Sequence, residues 1–327
     1  MSIDIVARAL AAKARPEDSY PGQVATRCYT NNFASPRKQA NANSMHIARE
    51  AMFTMPQIAF ANWYVSTASY AETGSGGTAS FQAKIQYPIG SKWQTVRWNG
   101  EDGSPVVADG ATSPLSDAGV PLATPIPDGA AFLIHVHAEG EVATVLTYSS
   151  AIDRRTAYDR MTLATSGLAD STSIDNVQDG ALITPCAILY PTRKPTVLIC
   201  GDSRGFGFGD MMDGSGDLGE MARSIGPRFG YINACLYGDR LDMFMASHAQ
   251  RAALSGYCSH ILCNYGINDM QSQPQRTADQ IEAVLPALAD QLNRFGQFNL
   301  CPRIRIDAVR PNIWRSPLRK ALKQIPG

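Results

Sequence analysis

Three short stretches of this chain carry residues whose types and spacing suit chemistry at a carbonyl carbon. The first, residues 196–210, reads TVLICGDSRGFGFGD. Val197, Leu198 and Ile199 form the apolar run of a fully buried parallel strand, and Gly201-Asp202-Ser203 ends it abruptly. Ligands of open α/β sheets bind at the carboxyl ends of the strands, where a serine on a tight turn can present its hydroxyl to a substrate. Ser203 is therefore the candidate nucleophile. Strand-Gly-Asp-Ser also describes an ordinary turn, so the weight falls on two later stretches. Residues 231–240 (YINACLYGDR) and 263–270 (CNYGINDM) each begin with a strand-like apolar run and end in glycine and small polar residues.

In this order and spacing, Gly201-Asp202-Ser203, then Asn233 with Gly238, then Gly266-Ile267-Asn268-Asp269 resemble the blocks of the SGNH (GDSL-like) hydrolase family. The resemblance implies ester hydrolysis, with Ser203 attacking the carbonyl. It also implies an oxyanion held by the Ser203 N–H, the Gly238 N–H and the side-chain amide of Asn268. Preorganised neutral donors of this kind contribute about 10²–10³ each to the rate. Ser203, Gly238 and Asn268 are the expected catalytic set.

One block of that family is missing. Its general base and orienting acid come from an Asp-x-x-His near the carboxyl end, and this sequence contains none. Of five histidines, His46, His135 and His137 precede the serine. His248 falls in a helical stretch, and His260 begins the strand leading to Asn268, at the wrong end of a sheet. The last 27 residues carry seven Lys or Arg against the single acid Asp307, and they lack the apolar run of a fifth strand. The expectation is a hydrolase domain truncated near residue 300, before the Asp-x-x-His block, with weak or no activity. Without a base the hydroxyl stays protonated; in subtilisin, losing the triad histidine costs about 2 × 10⁶ in kcat.

The elements that must position these residues follow from pattern and length. At 327 residues the chain exceeds the usual single domain. The natural division is a leader or short helix over 1–43, a β-sandwich over 44–190 and the hydrolase-like domain over 191–327, with Pro191 and Pro195 at the boundary. The fold class expected is an incomplete three-layer, flavodoxin-like α/β domain preceded by a jelly-roll-like all-β sandwich. In the first part the period is two: Phe81, Ala83, Ile85 and Tyr87 alternate with Gln82, Lys84 and Gln86, and Phe132, Ile134, Val136 and Ala138 form a second such run. Strand-like bias recurs over 57–66, 93–99 and 142–148, with Gly, Pro, Asp and Ser clusters between. In the second part Leu241, Phe244, Met245 and His248 have helical spacing over 239–254. Thr277 and Gln280 form a capping box ahead of Ile281, Val284, Leu285, Leu288 and Leu292, with Pro286 kinking that helix and Gly296 ending it.

Charge and composition exclude some functions. With 29 basic and 29 acidic side chains there is no global field to attract nucleic acid or an anionic membrane. No apolar run reaches 18 residues, and Asp4 and Arg8 interrupt any secretory core, so the default location is cytoplasmic. Seven scattered cysteines read as buried free thiols. Gly205, Gly207 and Gly209 space as G-x-G-x-G, which is not a dinucleotide fingerprint, and instead leave room near the serine; no cofactor is expected. Asp210, Asp213 and Asp217 are alternative acids, with solvated loop carboxylates as the plain reading.

Gly129, His135, His137 and Glu141 resemble the first metal-binding motif of cupins. Two histidines two apart share a strand face, and a carboxylate on the next strand would complete a divalent site. The second histidine block is absent, and the plain reading puts His135 and His137 on a solvent-side face. Trp63, Trp93 and Trp98 are either core fillers or a sugar-stacking surface. A sandwich before an SGNH domain resembles the layout of two-domain glycan esterases. The expected function is hydrolysis of O-acyl, above all O-acetyl, groups of a glycan or small ester. The alternative is a glycan-binding protein with an inactive hydrolase scaffold. The acyl group, the alcohol and the oligomeric state are not written in the sequence.

Overall fold

The structure is a computed structural model and describes residues 19–148, 156–163, 181–293 and 299–302. Residues 303–327, with the basic stretch and its acid Asp307, lie outside the described residues, as does Gly296.

The antiparallel part is built on a five-stranded sheet ordered Gln94–Val96, Ala79–Gln86, Ala131–Gly140, Gln39–Ile47 and Arg160–Leu163. Its register sets Val136 between Ala83 and Ala42. The period-two residues Phe81, Ala83, Ile85, Phe132, Ile134, Val136 and Ala138 all enter the main core, as side chains on one sheet face must. Smaller sheets surround this one. Tyr20–Gln23 and Gln57–Ala59 flank Ala187–Thr192, and Trp63–Val65 pairs with Glu72–Gly74 as a hairpin. Between residues 19 and 43 the chain runs in strands already integrated into these sheets.

The second part carries an all-parallel five-stranded sheet, ordered Cys28–Tyr29, Tyr231–Asn233, Val197–Cys200, His260–Cys263 and Asn299–Pro302. Every residue of the central Val197–Cys200 strand is buried. Val197 and Ile199 face a core that includes Phe206, Met221, Ala222 and Ile225, whereas Leu198 and Cys200 face the main core with Ile232, Phe244 and Ile261. A strand buried on both faces needs an unbroken apolar run, which is why it reads so clearly in the sequence. The edge strand Cys28–Tyr29 does not. It is two residues long, comes from the chain's first part, and sets Cys28 opposite Ile232 and Tyr29 opposite Asn233. The main core consequently runs without interruption from residues of the antiparallel sheet to residues of the parallel one.

Two helical expectations are corrected. The stretch 239–254 is not one helix: Leu241–Ala246 and Ala249–Ala253 are separated at Ser247, whose backbone is extended. The break has a tertiary cause, because the Ser247 hydroxyl accepts the Glu72 N–H at 2.8 Å and the Glu72 carboxylate accepts the Gln250 and Arg251 N–H groups at 2.7 and 2.8 Å. A carboxylate there satisfies donors that a helix N-terminus leaves free. Pro286 does not kink a running helix. It sits at the second position of a new one, Leu285–Asn293, where its missing N–H costs nothing. The Thr277/Gln280 capping box forms as expected, ahead of Ala278–Glu282.

Six cysteines are free and buried, and the Cys301 side chain lies outside the described set. Trp63 and Trp98 are core residues with indole N–H groups bonded to Thr112 and the Pro114 carbonyl, so neither offers a ring to a sugar; Trp93 is half-buried. Among the described residues no helix is long and apolar enough to cross a membrane.

Candidate active site

Ser203 opens the one-turn helix Ser203–Phe206 immediately after the central parallel strand. Asp202 caps it, accepting the Arg204 N–H at 3.0 Å, and Gly207 at φ +84° closes it. The turn is held from both sides. On one side Leu236 N–H donates to the Gly201 carbonyl at 3.0 Å, and the Asn233 amide to the Gly205 carbonyl at 2.9 Å. On the other the Asn264 carboxamide oxygen accepts the Asp202 N–H at 3.1 Å, and the Arg204 guanidinium donates to the Asn264 carbonyl at 3.1 Å. That Asn264 oxygen lies 1.6 Å from where a Cβ on Gly201 would stand, so only glycine fits there. Ser203 is half-buried, and its hydroxyl has no hydrogen-bond partner among the described residues.

Gly238 and Asn268 follow the two strands that flank the serine strand. Gly238 has φ +78°, and its N–H has no partner among the described residues. Asn268 lies in the first turn of the Ile267–Gln271 helix and donates one amide hydrogen to the Asp239 carbonyl at 2.9 Å, which ties it to the residue beside Gly238. The loops bearing Ser203, Gly238 and Asn268 therefore leave the same end of three adjacent strands.

Behind Gly238 lies a buried ionic network. Arg251 is fully buried; it pairs with Asp239 at 2.7 Å and Glu72 at 3.3 Å, donates to the Ser247 carbonyl at 2.7 Å and lies 4.6 Å over the Phe244 ring. Burial opposes the charge on Arg251, but the Asp239 carboxylate outweighs it and raises the guanidinium's pKa. Tyr265 adds its hydroxyl to Asp239 at 3.1 Å.

Among the described residues no histidine bonds to Ser203. His46 is buried, between Ser44 and the Thr26 carbonyl, and burial pushes its pKa down to about 4. His248 is half-buried and turned to the Met245 carbonyl at 3.1 Å. His260 pairs with Val197, at the opposite end of the strand from the serine. His135 and His137 are not on a solvent-side face: both are buried, each bonded to its ladder partner, Asn43 at 2.5 Å and Asn41 at 2.8 Å. Burial lowers both pKa values, that of His135 to about 4. Glu141 is engaged with Thr78, and among the described residues no group of three or more potential ligands could hold a metal ion.

The loop acids are not all simply solvated. Asp210 pairs with Arg223 and accepts the Gly219 N–H. Asp217 is fully buried, accepts the Tyr231 hydroxyl at 2.6 Å and leaves its other oxygen unpaired. Burial is the main cause that pushes its carboxyl up to about 6. The folded chain then keeps this proton to higher pH than an unfolded Asp, which titrates near 3.9, so stability falls as pH rises from about 4 to about 6 and stays lower above. At about 1.4 kcal/mol per unit the cost approaches 3 kcal/mol. Asp217→Asn is expected to remove that slope and to gain about 1–3 kcal/mol at pH 7.5. Urea melts at pH 4.5 and 7.5 measure it, and a variant less stable than the parent at pH 7.5 would contradict the assignment.

No family model matches this chain, and no curated protein does. Solved structures do. A family two carbohydrate esterase from Clostridium thermocellum, in complex with cellohexaose, is 12% identical and covers 90% of this chain and 81% of its own, with a TM-score of 0.27. A carbohydrate esterase family 2 enzyme of Corynascus thermopiles (Myceliophthora fergusii) is 14% identical over 85% of this chain and 77% of its own, also at 0.27. A peptidoglycan O-acetylesterase is 12% identical, covering 89% and 54%, at 0.25. Likeness at this level carries no argument about this chain, so the reading below rests on its own residues.

Proposed function

We propose that the chain is a serine ester hydrolase of SGNH type, with Ser203 as nucleophile and the Gly238 N–H and Asn268 amide as oxyanion donors. On this reading the parallel sheet and its helices, with Cys28–Tyr29 as edge strand, form the three-layer α/β domain, the antiparallel part a jelly-roll-like sandwich, and the substrate is an O-acyl, above all O-acetyl, ester of a glycan. The observation that carries the reading is the company of three adjacent strand ends: a serine hydroxyl and a glycine N–H, both without partners among the described residues, and a carboxamide anchored beside that glycine. Unpaired donors at one end of a parallel sheet suit an oxygen that gains charge during reaction.

With no histidine bonded to Ser203 among the described residues, the serine attacks without a base and turnover is expected to be slow, with the donors stabilising the oxyanion that forms. Hydrolysis of p-nitrophenyl acetate by the parent chain, falling at least about tenfold in Ser203→Ala, is the expected result. Equal rates in the two would remove serine from the mechanism and leave the hydrolase part as a scaffold.

A further inference from the structure

The hairpin Trp63–Val65/Glu72–Gly74 belongs to the antiparallel part, yet its tip reaches the candidate site. Glu72 fastens it to the parallel part through Ser247, Gln250 and Arg251. The tip itself is closed by Ser66 N–H to the Ala71 carbonyl at 2.9 Å and Tyr70 N–H to the Ser66 carbonyl at 2.8 Å. Tyr70 sits there in the left-handed region at φ +59°, a conformation that costs a non-glycine residue about 1–2 kcal/mol and persists where the surroundings enforce it.

What this holds in place is a phenol. A Cβ on Gly238 would stand 2.4 Å from the Tyr70 hydroxyl oxygen, so that oxygen lies within about 5 Å of the Gly238 nitrogen. Two donors that far apart can share one acceptor oxygen at ordinary hydrogen-bond lengths. Tyr70 is half-buried, and its hydroxyl has no partner among the described residues. Burial, then Asp239 and Tyr237, raise its pKa, which keeps the proton in place at neutral pH.

We propose that Tyr70 is a substrate-contacting residue, its hydroxyl donating to the same acyl oxygen that the Gly238 N–H faces. The inference rests on the esterase reading and extends it: the antiparallel part completes the site, which accepts the carbonyl oxygen of an ester and the carboxylate of the product acid. Hydrogen bonds to a charged acceptor are the strong ones, so losing this donor should be felt most by the anion.

The probe is acetate, titrated as the ¹³C-labelled ion by NMR against the full chain. Tyr70→Phe is expected to weaken acetate binding about tenfold and to lower kcat for p-nitrophenyl acetate by a similar factor, with KM nearly unchanged. Tyr64→Phe, on the same hairpin, serves as control and leaves both unaltered. Replacing Tyr70 by 3-fluorotyrosine keeps the shape but acidifies the phenol, so the alkaline loss of acetate binding should move to lower pH; a purely structural tyrosine would not produce that shift. Acetate binding and turnover within twofold of the parent in Tyr70→Phe overturn the inference while Ser203-dependent hydrolysis stands. Absence of saturable acetate binding together with absence of Ser203-dependent hydrolysis overturns both.

Discussion

Arg251→Met is expected to destabilise the chain by about 3–5 kcal/mol, because it leaves two carboxylates buried without their cation. Glu72 and Asp239 are 7% and 0% exposed, so neither can recover its hydration without opening the fold. The variant also loses the guanidinium's bond to the Ser247 carbonyl and its contact with the Phe244 ring. At about 1.5 °C per kcal/mol for a chain of 327 residues, the melting temperature should drop by roughly 4–7 °C. Removing the charges together, with Asp239→Asn and Glu72→Gln added to Arg251→Met, is expected to recover much of the loss, since the penalty lies in the unpaired ions. Thermal and urea melts of the single and triple variants check this. A single variant melting within 2 °C of the parent would mean that the network contributes little. Activity should fall as well, because Asp239 follows Gly238 and its carbonyl holds Asn268.

Asn268→Ala is expected to lower kcat for ester hydrolysis by about 10²–10³ with KM little changed, on the reading that its free amide hydrogen meets the developing oxyanion. The effect is large for a specific reason. On that reading, with no histidine bonded to Ser203 among the described residues, no base would mask the loss of one donor. Asn268→Asp tests the sign of the charge: a carboxylate in place of the amide repels the oxyanion and should be at least as damaging. Steady-state rates decide it, and an Asn268→Ala enzyme within twofold of the parent would take this side chain out of the oxyanion pocket. Because Asn268 also bonds the Asp239 carbonyl, the melting temperature is to be measured beside the rate.

The parts of the molecule legible in advance are those in which neighbours along the chain share one environment. Val197 to Cys200 lie in a strand buried on both faces, so four consecutive apolar residues announce it. Phe132 to Ala138 alternate because one sheet face meets the main core, and Thr277 with Gln280 is a helix start written entirely in local hydrogen bonds. The strands that Ser203, Gly238 and Asn268 follow were legible for the same reason.

What escaped the sequence depends on groups far apart in it. Glu72 breaks a helix 175 residues later, and the two residues Cys28–Tyr29 pair with a strand some two hundred residues on; neither has a periodicity to show. His135 and His137 alternate as solvent-side residues do, yet both are buried in bonds to Asn43 and Asn41 across the ladder. Asp217 titrates high only because folding buries it against Tyr231.

By itself, then, the amino-acid sequence marked the strands that precede Ser203, Gly238 and Asn268, since hydrophobic period and turn chemistry act over a few residues. Tertiary structure alone decided that Arg251 joins Glu72 to Asp239 and that Tyr70 lies against Gly238. Burial and charge pairing act through space, and no local pattern encodes which distant residue will arrive.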